Sequence, residues 1–92
     1  IALIHKNTDS APTSEEWDRF IDAAKASGMF KGGSAIGLRQ TIGQKVVSDT
    51  TESVGGYMRF DSDDPEQLRL LLQGHPVVSH GGTIELCEMP KS

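Results

Sequence analysis

One cysteine, one tryptophan, one tyrosine and three phenylalanines are all that this 92-residue chain holds of those residue types. Each scarcity excludes something. A lone Cys87 cannot close an internal disulfide, so the fold must hold without one, and a reducing, cytoplasmic setting is the expectation. An aromatic share of 5% leaves little material for stacking bases. Basic residues are outnumbered, 9 Lys and Arg against 13 Asp and Glu, for a formal net charge of −4. Nucleic-acid binders carry a basic patch or stripe, so none is expected as a partner. No apolar run approaches the roughly 20 residues that cross a bilayer, and no secretory leader is visible, so no membrane role is expected.

What is present suffices for one domain, read here as residues 1–92. A chain this short buries only about 60–65% of its unfolded surface, so a partner subunit would add much. "IALIHK" (1–6) reads as a buried strand. Thr13 and Glu16 form a capping box, and Trp17, Phe20, Ile21 and Ala24 follow at helical spacing, which predicts a helix over 14–27 ended by Gly28. The glycine-rich text after it predicts a strand near 34–40, a turn at Gly43–Gln44 and a short strand at 45–48. "VGGYMRFD" alternates, with Met58 and Phe60 on one face and Tyr57 and Arg59 on the other. Asp64 as cap, Pro65 at the first turn, Gln67 closing a capping box, and Leu68, Leu71 and Leu72 as a stripe predict a second helix stopped by Gly74. "GTIELCEM" alternates Ile84 and Leu86 against Glu85 and Cys87, a last strand closed by Pro90.

The order strand, helix, strand, strand, helix, strand is the split β-α-β pattern of a ferredoxin-like α+β sandwich. It predicts an antiparallel sheet in the order fourth, first, third, second, with two helices on one face. The other face would carry Leu3, Tyr57 and Cys87, and a second subunit packed sheet to sheet would cover it. A homodimer is expected.

Several residues invite a chemical reading. His75 and His80 lie close together around a Pro and a Gly pair, but with His5 and Cys87 they are the only imidazole or thiol groups, and no close H-x-x-x-H or C-x-x-C spacing occurs. No metal and no other cofactor is expected. His75 reads instead as an imidazolium at the C-terminus of the second helix, and His80 as a turn residue. "KGGSAIG" lacks the G-K-[ST] ending of a phosphate loop. Cys87 reads as an inert strand residue. His5 is the stronger candidate. By alternation it shares the open sheet face with Tyr57, Arg59 and Glu85, a set able to bind a small anionic ligand and move a proton. The plainer alternative is an Arg59–Glu85 ion pair at a dimer seam with His5 packed beside it.

The tail "GGYMRFDSDDPEQLRLLLQGHPVVSHGGTIELCEM" and the front "ALIHK…SEEWDRFIDAAKASGMFKGG" together resemble the YCII-related (DGPF-type) proteins over nearly the whole chain. The resemblance implies a dimeric α+β barrel and a family whose activity is largely unassigned, with enzyme-like pockets in some members. Where the family's Asp-Gly-Pro-Phe motif would sit, this chain reads "SDTTESVGG", so Asp49 is the one matching position and, with His5, a candidate catalytic group. The His–Asp pair of some relatives is not carried over, because the first helix has no histidine and His75–Pro76 fills the later turn. The two functional classes are a small-molecule-binding or enzyme-like homodimer and a non-catalytic dimerisation or sensor module.

Overall fold

The computed structural model describes residues 1–45 and 51–90. Its elements are β1 (Ala2–His5), α1 (Ser14–Ala26), β2 (Phe30–Ala35), β3 (Val54–Phe60), α2 (Pro65–Gln73), α3 (Pro76–Ser79) and β4 (Ile84–Leu86). The four strands form one antiparallel sheet in the order β2-β3-β1-β4. Both β1 and β2 run antiparallel to β3, so β3 inserts between two parallel strands joined through α1. This α+β arrangement is compatible with the ferredoxin-like pattern read from the sequence.

The helices form where their caps allow. Thr13 Oγ1 accepts from the Glu16 N–H while the Glu16 carboxylate accepts from the Thr13 N–H, a complete capping box. Gly28 takes a φ of 76° just past the last turn of α1, a conformation that favours glycine. At α2, Asp64 Oδ1 accepts from the Glu66 and Gln67 N–H groups. The expected reciprocal bond from Gln67 is replaced, because Ser62 Oγ accepts the Asp64 N–H.

One core joins both helices to one sheet face. Phe20 and Ala24 of α1, Leu68 and Leu72 of α2 and Val77 of α3 are buried against Ala2, Ile4 and Met58. Trp17, Ile21, Phe60, Leu71 and Ile84 pack around them, half-buried. Leu86, expected in this core, is 44% exposed at the end of β4, a three-residue edge strand. Ile1, Leu3 and His5 alternate to the opposite face.

Three expectations about local structure change. The strand placed at 34–40 is β2 at Phe30–Ala35. Its register is fixed by pairing Phe30 with Phe60 and Ala35 with Gly56, with a bulge at Gly32, where φ is 111°. Residues 36–45 form no strand, and Leu38 and Ile42 in that segment lie fully exposed. The short strand expected at 45–48 fails at Lys45, and its remaining residues lie outside those described. The turn around His75–Pro76 is a short helix, α3, because Pro76 occupies its first position and an imidazole nitrogen caps it.

Candidate functional site

A cleft of about 540 Å³ opens between α1 and the β2–β3 half of the sheet. Trp17 and Ile21 of α1 form one wall, and Ile4, Phe30 and Met58 form the apolar base. The cleft exists because the strands beneath carry almost no side chains there. β3 presents Gly55 and Gly56, and β2 presents Gly33, Ser34 and Ala35. Gly33 is obligatory, since a Cβ there would collide with the Tyr57 carbonyl of the paired strand. The apolar stripe of α1 therefore faces a bare floor, and Trp17 and Ile21 stay only half-buried. Lys6 and Thr8 add polar groups to the lining, and His5 borders it at the end of β1.

The open sheet face brings some expected residues together and separates others. His5 Nε2 lies 3.1 Å from Glu85 Oε1, and His5 Nδ1 lies 3.0 Å from Ser53 Oγ. Leu3 is flanked by Tyr57 on β3 and Glu85 on β4. Arg59 does not join them. Ala2 pairs with Met58 and His5 with Val54, so Arg59 falls level with Ile1, four residues or about 13 Å along the strands from His5. Its guanidinium donates instead to the Lys31 carbonyl at 3.1 Å. The expected convergence of His5, Tyr57, Arg59 and Glu85 is thus reduced to a His5–Glu85 pair with Ser53 added. The Arg59–Glu85 ion pair fails for the same reason. Asp49 lies outside the described residues.

His75 differs from its expected role. It is completely buried, and its Nδ1 accepts the Val77 N–H at 3.0 Å, capping α3 rather than the end of α2. Its ring meets Trp17 and Phe20 in T-shaped contacts, with centroids 4.8 and 4.5 Å away. Burial pushes its pKa down to about 4, so at neutral pH it is an uncharged imidazole and not a cation at a helix end.

His80 closes α3 and does more than shape a turn. Its Nδ1 lies 2.7 Å from Ser10 Oγ and its Nε2 lies 2.7 Å from Glu16 Oε2. The loop of Ser10 is held there because the Asp9 N–H donates to the His80 carbonyl at 2.8 Å. Glu16 is fixed from its other oxygen by the Thr13 N–H, at 3.1 Å. That backbone bond, followed by the His80 bond, lowers the Glu16 pKa below the usual carboxylate value. Sequence reasoning could not find this set, because Ser10 and His80 are 70 positions apart and Glu16 reads locally as a capping residue. Cys87 is half-buried at the sheet edge, with its Sγ 3.8 Å from Glu85 Oε2.

Among the described residues, no group of three or more His, Cys, Asp or Glu side chains is placed to hold a metal ion, and no helix is long and apolar enough to cross a membrane. No family model, curated protein or solved structure matches this chain.

Proposed function

We propose that this chain is a YCII-related α+β protein that binds a small, mainly apolar molecule in the cleft between α1 and the sheet, as a homodimer of the dimeric α+β barrel type. The glycine-floored cleft carries the reading. Ligand sites are concave, largely apolar and furnished with a few polar groups, and this one has apolar walls with Lys6 and Thr8 among its polar residues. Lys6 supplies a cation for a ligand with an anionic end. The proposed site lies on the helix side of the sheet, not on the open face where Arg59 was expected. The homodimer reading rests on the other face, where Ile1, Leu3, Tyr57 and Cys87 are half-buried side chains that none of the described helices covers.

Trp17, the one tryptophan, reports on the cleft directly. Anilinonaphthalene sulfonate, an aromatic anion, is expected to bind the natively folded protein and take up energy from Trp17. Ala35→Leu, which projects a larger side chain into the lining, is expected to weaken that binding roughly tenfold. Equal binding by wild type and Ala35→Leu, or binding without energy transfer from Trp17, would rule the cleft out as the site. Light scattering is expected to give twice the chain mass of 9.9 kDa; a monomer at micromolar concentration rejects the dimer.

A further inference from the structure

We infer that Ser10 is an acyl-accepting nucleophile activated by His80, which Glu16 holds in place, and that it cleaves small esters whose acyl chain enters the cleft. The inference rests on the cleft reading for where the acyl chain sits, and on the Ser10–His80–Glu16 geometry for the chemistry.

The arrangement is that of an activated hydroxyl: nucleophile to base at 2.7 Å, base to carboxylate at 2.7 Å. The roles follow from the hydrogen-bond directions. A Glu16 carboxylate can only accept, so His80 Nε2 carries the proton and donates it to Glu16. That leaves the lone pair of Nδ1 facing Ser10, whose hydroxyl donates to it. The order is the general triad logic with the two ring nitrogens exchanged. Glu16 is a positioning residue. Its bond to the Thr13 N–H and its lowered pKa keep it ionised and fixed in place. The His80 side chain is 20% exposed and the Glu16 side chain 30%, sheltered yet open to a reactant.

Chain neighbours of this group line the cleft. Ser10 is two residues from Thr8 and from Pro12, both in the cleft lining, while Glu16 lines a neighbouring cavity between α1 and the α2–α3 turn. The first-turn N–H groups of Ser14 and Glu15, which no helical carbonyl can reach, stand at the same helix end as Glu16 and are the donors assigned to the oxyanion. Asp9, next to Ser10 in the chain, and Glu16, on the far side of the imidazole, put negative charge near the serine, which disfavours an anionic substrate at that end. The substrate class is therefore an ester, neutral around its carbonyl, with an apolar acyl chain.

In the reaction, Ser10 Oγ adds to the ester carbonyl as its proton passes to His80 Nδ1. The tetrahedral adduct collapses, its carbon–alkoxy bond breaks, and the alcohol departs with the proton from Nδ1. Water then gives a proton to Nδ1 and adds to the Ser10 acyl ester, and Ser10 regains its proton as the carboxylic acid leaves. No oxidant, metal or cofactor enters the balance.

The test combines hydrolysis of para-nitrophenyl esters with covalent labelling by diisopropyl fluorophosphate, read by peptide mass. Wild type is expected to label at Ser10 and to prefer hexanoate over acetate roughly tenfold in kcat/KM. Ser10→Ala, with an unchanged near-ultraviolet dichroism spectrum, should lose about a hundredfold in kcat and all of the label. Glu16→Gln should lose roughly tenfold in kcat with KM little changed, whereas a purely structural role for Glu16 would lower stability and spare kcat. No label on Ser10, or Ser10→Ala hydrolysing at the wild-type rate, overturns the inference. Labelling of Ser10 with no preference for acyl length keeps the nucleophile but removes the cleft as the acyl site. That outcome separates a failure here from a failure of the binding proposal.

Discussion

Two of the three histidines sit in the same chemical order, serine, imidazole, carboxylate, in two different parts of the molecule. Ser53, His5 and Glu85 form one set at the end of the central strand, and Ser10, His80 and Glu16 form the other beside α1. The imidazoles are equally sheltered, with side chains 19% and 20% exposed. Their carboxylates are not. Glu85 is 56% exposed on an edge strand, and among the described residues its carboxylate bonds to His5 and the Cys87 thiol. Glu16 is 30% exposed and tied to a helix N-terminus by its capping box. Bonds of 3.1 Å on one side and 2.7 Å on the other follow that difference. A carboxylate organises an imidazole only as well as the carboxylate itself is held.

The strongest way to disturb one set and spare the other is through His75, the third histidine. It caps the start of α3 while His80 closes its end, and it packs on Trp17 and Phe20 of α1. His75→Ala removes the cap and leaves a cavity, so a loss of about 3 kcal/mol in urea unfolding is expected. The Ser10–His80–Glu16 set should loosen with it, while the His5 ring resonances stay in place. Acid probes the same residue. The unfolded imidazole takes a proton near pH 6.5, but the folded one only near pH 4. Acidification across that interval therefore favours unfolding: the contribution is whole above pH 6.5 and is lost as pH falls toward 4, on the order of 3 kcal/mol in all. His75→Asn keeps a capping acceptor and removes the titration, so its stability should be flatter than wild type between pH 6.5 and 4. An equal slope in both proteins would mean that His75 is charged in the fold.

The contrast between the two sets also marks what a linear sequence reveals. α1 and α2 were legible because caps, stripes and stops are local: Thr13 with Glu16, Trp17 with Phe20 and Ile21, Asp64 with Pro65. The strand order was legible because two short strands flanking each helix leave few antiparallel solutions. α3 was hidden because its cap is an imidazole nitrogen, outside the usual Ser, Thr, Asp and Asn. β2 was misplaced because its limits come from pairing with β3 and from a bulge at Gly32, neither of which its own residues announce. Of the candidate site, His5–Glu85 followed from alternation, whereas Arg59 required register. The Ser10–His80 contact spans 70 positions and has no local sign.

A smaller effect separates the carboxylates themselves. Glu16→Ala breaks the capping box and the His80 bond together, and should lower the urea midpoint clearly. Glu85→Ala removes only an exposed partner, and should stay within about 0.5 kcal/mol of wild type. Urea midpoints at neutral pH decide between them. Equal losses would show that the 56% exposed carboxylate is held as firmly as the capped one, and the contrast between the two sets would disappear.

The smallest expected effect concerns the residue that the register removed from the His5 set. Arg59 donates to the Lys31 carbonyl beside the β2 bulge, and its guanidinium lies over Gly32, 3.8 Å from where a Cβ would stand. An exposed side chain making one such bond contributes little, because water replaces it at similar free energy. Arg59→Ala should therefore change stability by less than about 0.5 kcal/mol. It should leave the His5 ring resonances unmoved, whereas Glu85→Ala should shift them by removing the carboxylate 3.1 Å away. Histidine-ring proton spectra of the two variants make the comparison directly. A His5 shift in Arg59→Ala as large as that in Glu85→Ala would return Arg59 to the open-face site. It would require the guanidinium to reach across about 13 Å of sheet that the pairing of Ala2 with Met58 and His5 with Val54 places between them.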